Sequence, residues 1–171
     1  PAISAGSDDF FISKFDTAGI FVWGKSFGSL TIDRAFDLFL GNNNTRLYST
    51  GRFAMDVDFD PGPGTELLVS AGAEDAFILA LDTSGNYVWV KQVGGTMSDM
   101  GRAITHDDAS DRTYITGFYN GTADFDPNAG VFELVTNGSN EIFVLKLGPS
   151  AVGLDKSSGD LQVQVSPNPF Q

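Results

Sequence analysis

The stretch DFFISKFDTAGIFVWGK at residues 9–25 returns as DAFILALDTSGNYVWVK at residues 75–91. The two stretches lie 66 residues apart, and they share the order and spacing of their Asp, Phe, Ile, Thr, Gly, Trp and Lys residues. The same offset aligns a second pair of segments without a gap, namely Asp58-Phe59-Asp60-Pro61 and Asp124-Phe125-Asp126-Pro127. A third copy opens at Gly138. A fixed period of this length indicates a tandem-repeat architecture.

Each repeat contains short runs of aromatic and β-branched residues, which favour β-strands. Between these runs lie Gly, Asn, Asp and Pro residues typical of turns, as at 16–19 and 61–64. The sequence therefore predicts an all-β fold of tandem β-propeller blades, each with about four antiparallel strands. The predicted strands of the first repeat are 10–15, 20–27, 33–40, 45–53 and 66–70; those of the second are 77–81, 87–93, 99–106, 113–119 and 132–136.

The predicted strands place blades at 20–85 and 86–147, with residues 1–19 as the last strand of a preceding blade. Residues 148–162 are small and polar and predict a linker, and 163–171 form a separate tail. A closed propeller has about 4–8 blades. The chain is then a C-terminal segment of a larger propeller, an open array, or a subunit that closes a ring by association. Trp23 and Trp89 are predicted to fill the contact between neighbouring blades.

Composition excludes several classes of function. The 171 residues include 10 Lys and Arg against 22 Asp and Glu, which gives a net charge of −12. Nucleic acids and anionic membrane surfaces are therefore not expected partners, because both require basic patches. The chain has no cysteine, which excludes disulfides and thiolate chemistry. No apolar run reaches the roughly 20 residues of a membrane-spanning helix, so membrane insertion is not expected.

Acidic segments provide the candidate metal ligands. Asp56, Asp58 and Asp60 alternate along the first repeat, and Asp124 and Asp126 are the second-repeat counterparts of the last two. Bent into a loop, these carboxylates present hard oxygens of the kind that Ca²⁺ prefers. The alternative is an Asp-based turn, in which the carboxylates accept backbone N–H groups ahead of a fixed proline. Both alternatives remain open from the sequence, and no other cofactor is expected.

Catalysis is not expected from these residues. The same acidic pair occurs in both repeats, whereas a glycosidase-type carboxylate pair normally forms one site. His106 is the only histidine, and its repeat counterpart is Leu40, so the sequence predicts a partly exposed strand end there. Two basic pairs, Lys25 with Lys91 and Arg46 with Arg112, recur at equivalent positions, and pairing of a Lys or Arg with a blade aspartate is predicted.

The segment at 8–25 resembles the SBBP-type β-propeller repeats of secreted bacterial proteins, as do Tyr114-Ile115-Thr116-Gly117 and Asp124-Phe125-Asp126-Pro127. The resemblance covers about residues 6–147. It implies a propeller fold and an extracellular location, without one particular activity.

The tail carries a second resemblance. Residues 163–170, VQVSPNPF, are similar to the opening of the C-terminal sorting domain of the type IX secretion system in Bacteroidota, with Pro167, Asn168 and Pro169 as the matching turn. Asp16-Thr17-Ala18 is similar to the O-glycosylation acceptor of the same bacteria, with Thr17 as the acceptor.

Together these resemblances imply a non-enzymatic module at the outer surface of a Gram-negative bacterium or in its medium. Its expected partners are a surface glycan or protein ligand, other subunits of a surface assembly, and the type IX secretion machinery. Two alternatives stay open: a hydrolase or lyase whose active site lies in further blades, and a structural spacer or filament subunit.

Overall fold

The computed structural model describes residues 4–148 and the backbone of 162–164, and the protein is all-β over these residues. None of the described residues forms a helix long and apolar enough to cross a membrane. The twelve strands are β1 (Phe10–Phe15), β2 (Phe21–Phe27), β3 (Arg34–Gly41), β4 (Arg46–Phe53), β5 (Asp56–Asp58), β6 (Leu67–Val69), β7 (Asp75–Asp82), β8 (Tyr87–Gly95), β9 (Met100–Asp107), β10 (Arg112–Asp124), β11 (Glu133–Leu147) and β12 (Gln162–Gln164).

The strands form propeller blades. Strands β3, β4, β7 and β8 pair in that order as a four-stranded antiparallel meander, which we call the central blade. Strands β1 and β2 form an antiparallel pair at the N-terminal side, the half-blade. Strands β9, β10 and β11 form the last blade, and β12 pairs antiparallel with β11 along its outer edge. This arrangement confirms the predicted all-β propeller architecture.

Each blade carries a protruding hairpin between its second and third long strands. In the central blade this hairpin is β5 paired with β6, with Asp56 opposite Val69. In the last blade the equivalent residues extend β10 and β11, with Asp124 opposite Glu133. We call residues 56–69 the first strap and residues 122–135 the second strap. The predicted strands at 66–70 and 132–136 thus belong to the straps rather than to the blades.

The hydrogen-bonded blades are offset from the predicted boundaries of 20–85 and 86–147. Strand β2 pairs with β1 and not with β3, so the central blade runs from Arg34 to Gly95. The length of the connections explains this pairing. The turn at 16–19 is tight enough to pair β1 with β2, and Gly19 adopts the positive φ of 79° that such a turn requires. The connection at 28–33 instead crosses to the next blade. Strand β12 also lies within the predicted linker and tail, where it continues the last blade.

Two apolar cores fill the junctions between blades. Strand β7 is buried on both faces, because successive side chains point to opposite neighbours. Phe77 and Leu79 pack towards the half-blade, and Ala76 and Ile78 pack towards the last blade. The half-blade side also buries the following side chains: Phe10, Ile12, Phe27, Phe53, Val57, Phe59 and Leu81. The last-blade side also buries Tyr48, Val93, Ile104, Ile115, Tyr119, Phe125, Phe143 and Leu145.

Candidate functional site

The straps, which contain the acidic residues singled out by the sequence, fasten each blade to the one before it. Phe59 of the first strap is fully buried, and its ring centre lies 6.2 Å from that of Phe27 in the half-blade. It also lies 5.2 Å from Phe77 of its own blade. In the second strap, Phe125 is buried against Tyr119 and Phe143. The aromatic residue between the two aspartates is thus the anchor of the strap.

The aspartates beside this anchor shape the strap turn. Asp58 Oδ1 accepts hydrogen bonds from the backbone N–H groups of Asp60 (3.0 Å) and Glu66 (2.8 Å). Asp60 Oδ1 accepts the N–H of Gly62 at 2.8 Å. The second strap repeats the pattern: Asp124 accepts from Asp126 and Phe132, and Asp126 accepts from Asn128. These contacts are those of Asp-based turns that hold the chain ahead of a proline.

The geometry bears on the calcium prediction without deciding it. Asp56 is exposed and pairs through its backbone with Val69 in the strap. Among residues 4–148 no group of three or more His, Asp or Glu side chains has an arrangement that could hold a metal ion. The carboxylate oxygens named above have backbone donors already. Calcium binding at Asp56, Asp58, Asp60, Asp124 and Asp126 therefore stays a prediction from the sequence.

The lysines of the outer strands reach across to the straps. Lys25 of β2 donates to the carbonyl oxygen of Pro61 at 3.3 Å. Lys91 of β8 donates to Asn128 Oδ1 at 3.0 Å. The two lysines are equivalent in the repeat, and each reaches the strap turn, but Lys25 contacts a backbone carbonyl whereas Lys91 contacts a side-chain amide. For the two lysines the predicted pairing with a blade aspartate is wrong, because a carbonyl and an amide oxygen of the strap turns accept their hydrogen bonds instead.

A groove of about 420 Å³ lies beside the second strap, between it and the first. Its polar lining combines acceptors and donors, and its floor is apolar where Leu68 and Val90 contribute. A wall of this composition suits a ligand with both hydroxyl groups and apolar faces. Its polar lining includes Glu66, Lys91, Gln92, Asp124, Asp126 and Asn128.

A pair of buried aspartates, Asp75 and Asp99, was not singled out by sequence reasoning; Asp75 lies directly behind the groove, because it contacts the lining residues Ala71 and Gln92. Asp75 has no exposed surface; its Oδ2 accepts from the N–H of Ala71 at 2.9 Å and from Gln92, while its Oδ1 has no partner. Burial raises the pKa of Asp75 to about 6, the charge of Asp99 adds to the rise, and these two hydrogen bonds oppose it. Burial also raises the pKa of Asp99.

Asp99 joins two segments that meet at the junction. Its carboxylate accepts the N–H of Gly95 at 2.7 Å and that of Asn120 at 2.9 Å. Its repeat counterpart Asp33 accepts equivalent bonds from Ser29 and Ala54. Each carboxylate therefore ties the connection between blades to the base of the strap. The sequence signal for this role was that an aspartate occurs at the same position of both repeats.

His106 is not a partly exposed strand end; that prediction is wrong. The side chain is buried, stacks on Tyr48 at 4.6 Å between ring centres, and shares a hydrogen bond with Thr113 at 3.1 Å. Its repeat counterpart Leu40 is exposed because it faces the half-blade, which contributes no inner strand there among the described residues. His106 faces the complete central blade.

A Gly-x-Ser-x-Gly motif, the sequence pattern of a hydrolase nucleophile elbow, occurs at Gly24-Lys25-Ser26-Phe27-Gly28. That chemistry requires a sharp turn from a strand into a helix, with the serine at its tip. Here the serine lies within the continuous strand β2, and His106 lies in another blade. This motif therefore does not form a nucleophile elbow.

The other predicted sites have different outcomes. Thr17 is exposed in its turn, where Asp16 accepts the N–H of Ala18 at 2.9 Å, and its modification stays a prediction. Its counterpart Thr83 is half-buried and accepts hydrogen bonds from Trp23 and Lys14 of the half-blade, which confirms Trp23 as a junction residue. Pro167, Asn168 and Pro169 lie outside the described residues.

Similarity to known proteins agrees with the blade topology. No family model matches the chain. An uncharacterized WD repeat-containing protein of Acanthamoeba polyphaga mimivirus is 23% identical over 121 residues, which cover 63% of this chain and 9% of that protein. The chain thus spans only a small part of the relative it matches. WD repeats build four-stranded propeller blades. The pairing of β3, β4, β7 and β8 and this similarity together indicate a β-propeller repeat.

Proposed function

We propose that this chain is a non-enzymatic β-propeller module of the bacterial cell surface, where the groove beside its second strap binds a surface glycan or protein. The observation that favours this proposal is the duplication of the strap. The acidic residues that could have formed a catalytic pair instead hold the same turn at both junctions. The groove beside the second strap then offers polar groups for recognition rather than for bond breaking.

A glycan is the first ligand class to test, since Lys91 and Asn128 place a donor and an acceptor above the apolar floor of the groove. Binding of the purified chain to an array of bacterial surface glycans is the direct assay. The variant Asn128→Ala should weaken binding while leaving the melting temperature almost unchanged, because this side chain is exposed. The matched control is Asn140→Ala, outside the groove lining, which should bind as the unmodified chain does. Equal binding by all three proteins would count against the groove.

Export is supported by the two sequence resemblances, to secreted SBBP-type repeats and to the type IX sorting domain. The test is the location of the full-length protein in its own Gram-negative host. Deletion from Pro167 onward, together with any downstream sorting domain, should trap the protein in the periplasm. Surface display that survives this deletion would refute type IX export, although it would leave the binding proposal intact.

A second candidate function, a subunit of a surface assembly, is favoured by the exposed apolar blade faces at both sides of the molecule. Phe11 of the half-blade is 70% exposed and Ile142 of the last blade is 69% exposed. Side chains at equivalent positions inside the molecule, Phe77 and Ala76, are fully buried. Apolar surface of this extent marks contact with another blade.

A further inference from the structure

The groove beside the second strap carries more negative than positive charge. Three carboxylates line it, namely Glu66 of the first strap and Asp124 and Asp126 of the second. Lys91 is the only basic side chain among the described residues that line the groove, and its ammonium donates to Asn128. None of the three carboxylates forms an ion pair with a basic side chain of the described residues. Three negative charges therefore face one positive charge in the lining.

A fourth carboxylate lies beneath the floor of this groove. Asp75 is fully buried, and its Oδ2 accepts hydrogen bonds from two lining residues, Ala71 and Gln92. Its Oδ1 has no hydrogen-bond partner among the described residues and faces Gly94, which also lines the groove. A Cβ atom at position 94 would lie 2.8 Å from this oxygen, so the glycine leaves room for the carboxylate. The unpartnered oxygen therefore lies directly behind the groove, and its charge adds to the negative potential inside.

The amide side chains of the lining donate their hydrogen bonds inside the protein. Gln92 donates one amide hydrogen to the carbonyl oxygen of Val69 at 2.9 Å and the other to Asp75, so only its acceptor oxygen remains. The amide of Asn128 donates to Asp126 Oδ1 at 3.2 Å. The groove therefore offers a ligand mainly acceptors and negative charge, and a matching ligand brings donors and a positive charge.

We propose that the groove binds a glycan whose sugars carry a free amine, and that this amine enters as an ammonium group beside Glu66 and above Gly94. The inference rests on the proposed function of the groove and names the class of glycan. An ammonium group brings three donors and one positive charge, which match the acceptors and the charge of the lining. Leu68 and Val90 supply an apolar surface for the sugar ring. Acetylation of the amine removes the charge and two of the three donors, so an N-acetylated glycan should bind less tightly.

The test compares two ligands that differ only in this group, an oligomer of glucosamine and the same oligomer with every amine acetylated. Binding of the purified chain to each is measured by titration calorimetry at about pH 7. Burial raises the pKa of Asp75 to about 6, so its carboxylate is mostly ionised under these conditions. EDTA in the buffer excludes bridging by a metal ion. The free-amine oligomer should bind at least about tenfold more tightly, because several charge pairs act together, and added salt should reduce this preference.

Two variants that each remove one charge locate the source of the preference. Glu66→Gln neutralises a carboxylate that the ligand can contact. Asp75→Asn neutralises the carboxylate beneath the floor and keeps an acceptor oxygen for Ala71 and Gln92. Each should weaken binding of the free-amine oligomer by about three- to tenfold and leave binding of the acetylated oligomer unchanged. Asp56→Asn is the matched control, because it changes the net charge equally on the first strap but outside the groove lining, and it should keep the full preference.

A purely structural role of Asp75 would give a different result. If this side chain only held the groove in shape, Asp75→Asn would change the affinity for both oligomers alike. Loss of the preference at an unchanged affinity for the acetylated oligomer is expected only from loss of the charge. Asp124 and Asp126 are left unmodified, because their carboxylates hold the strap turn. Circular dichroism and melting temperature establish that each variant is folded.

Three results would overturn the inference: no tighter binding of the free-amine oligomer, a preference that survives in either Glu66→Gln or Asp75→Asn, or an equal loss of preference in Asp56→Asn. Binding of acetylated or neutral glycans that depends on Asn128 would overturn this inference alone and leave the proposed function standing. A chain that binds no glycan of the array would overturn the glycan-binding function as well.

Discussion

Removing the charge of Asp75 provides a direct test of how the blade junction is built. In the substitution Asp75→Asn, the amide oxygen can still accept from the Ala71 N–H and from Gln92, while the buried negative charge is lost. The carboxylate has no exposed surface, and one of its oxygens has no hydrogen-bond partner. Burying an ionised group of this kind costs free energy that its two hydrogen bonds only partly offset.

The size of the effect follows from the pKa of Asp75, which burial raises from 3.8 to about 6. Each unit by which the pKa of Asp75 differs between the folded and unfolded states corresponds to about 1.4 kcal/mol. Ionisation of Asp75 therefore costs the folded state about 3 kcal/mol. Because the pKa of Asp75 is higher in the folded state, the protonated side chain stabilises the folded protein, and this stabilisation is fully present below about pH 4. The stabilisation is lost as the pH rises through about 6, and above that pH no further change is expected.

The assay is urea denaturation of the unmodified chain and of Asp75→Asn between about pH 4 and pH 7. The difference in unfolding free energy between the two proteins should shift by about 2.4 kcal/mol in favour of the variant over this range, most of it before pH 6. The variant's own buried amide adds a constant offset, which does not change this trend. Asp56→Asn removes one charge from an exposed strap position and controls for the overall charge.

A difference that stays constant within about 0.5 kcal/mol from pH 4 to pH 7 would refute the reasoning. It would mean that the Asp75 carboxylate is as well solvated in the folded protein as in the unfolded chain. The coupling to Asp99 provides a second check. Asp99→Asn should reduce the pH dependence contributed by Asp75, because the charge of Asp99 adds to the rise in the pKa of Asp75.

Three further predictions test the straps and turns. Phe59→Ala should lower the unfolding free energy by about 3–5 kcal/mol in urea denaturation, whereas Leu67→Ala on the exposed strap edge should cost less than about 1 kcal/mol. Gly85→Ala should destabilise more than Gly19→Ala in thermal unfolding; both have positive φ, but only Gly85 packs on Trp23, and equal costs would contradict this contact. If the strap carboxylates hold calcium, EDTA must lower the melting temperature, and an unchanged value would remove the calcium prediction.

The sequence predicted the composition of the blades better than their boundaries. A 66-residue period and short runs of aromatic and β-branched residues, such as 77–81, were enough to predict tandem blades of antiparallel strands. A period has no natural starting point, however, so the repeat alone does not say whether β2 belongs to β1 or to β3. Turn length decides this, because the tight turn at 16–19 forces adjacent pairing, whereas the connection at 28–33 allows a crossing between blades.

The roles of the acidic residues could be predicted only in part. The aspartates of the straps have the spacing of a turn and of a metal loop alike, and only the hydrogen bonds of Asp58 and Asp124 show what their oxygens contact. The pair Asp75 and Asp99 lies 24 positions apart in the chain. Its proximity depends on the path between β8 and β9, which a period does not specify. His106 was misjudged for a related reason, since its burial depends on which blade it faces.

The repeated residues also indicate where specificity must lie. Positions that are identical in both repeats, such as Asp58 and Asp124, are engaged in the turns and junctions that any blade of this type needs. A ligand that distinguishes one junction from another must therefore contact residues that differ between the repeats. Asn128 stands where the first strap has Gly62, and it supplies the acceptor that Lys91 reaches. The groove beside the second strap consequently has a recognition group that has no counterpart in the first strap, although both straps fold into the same turn.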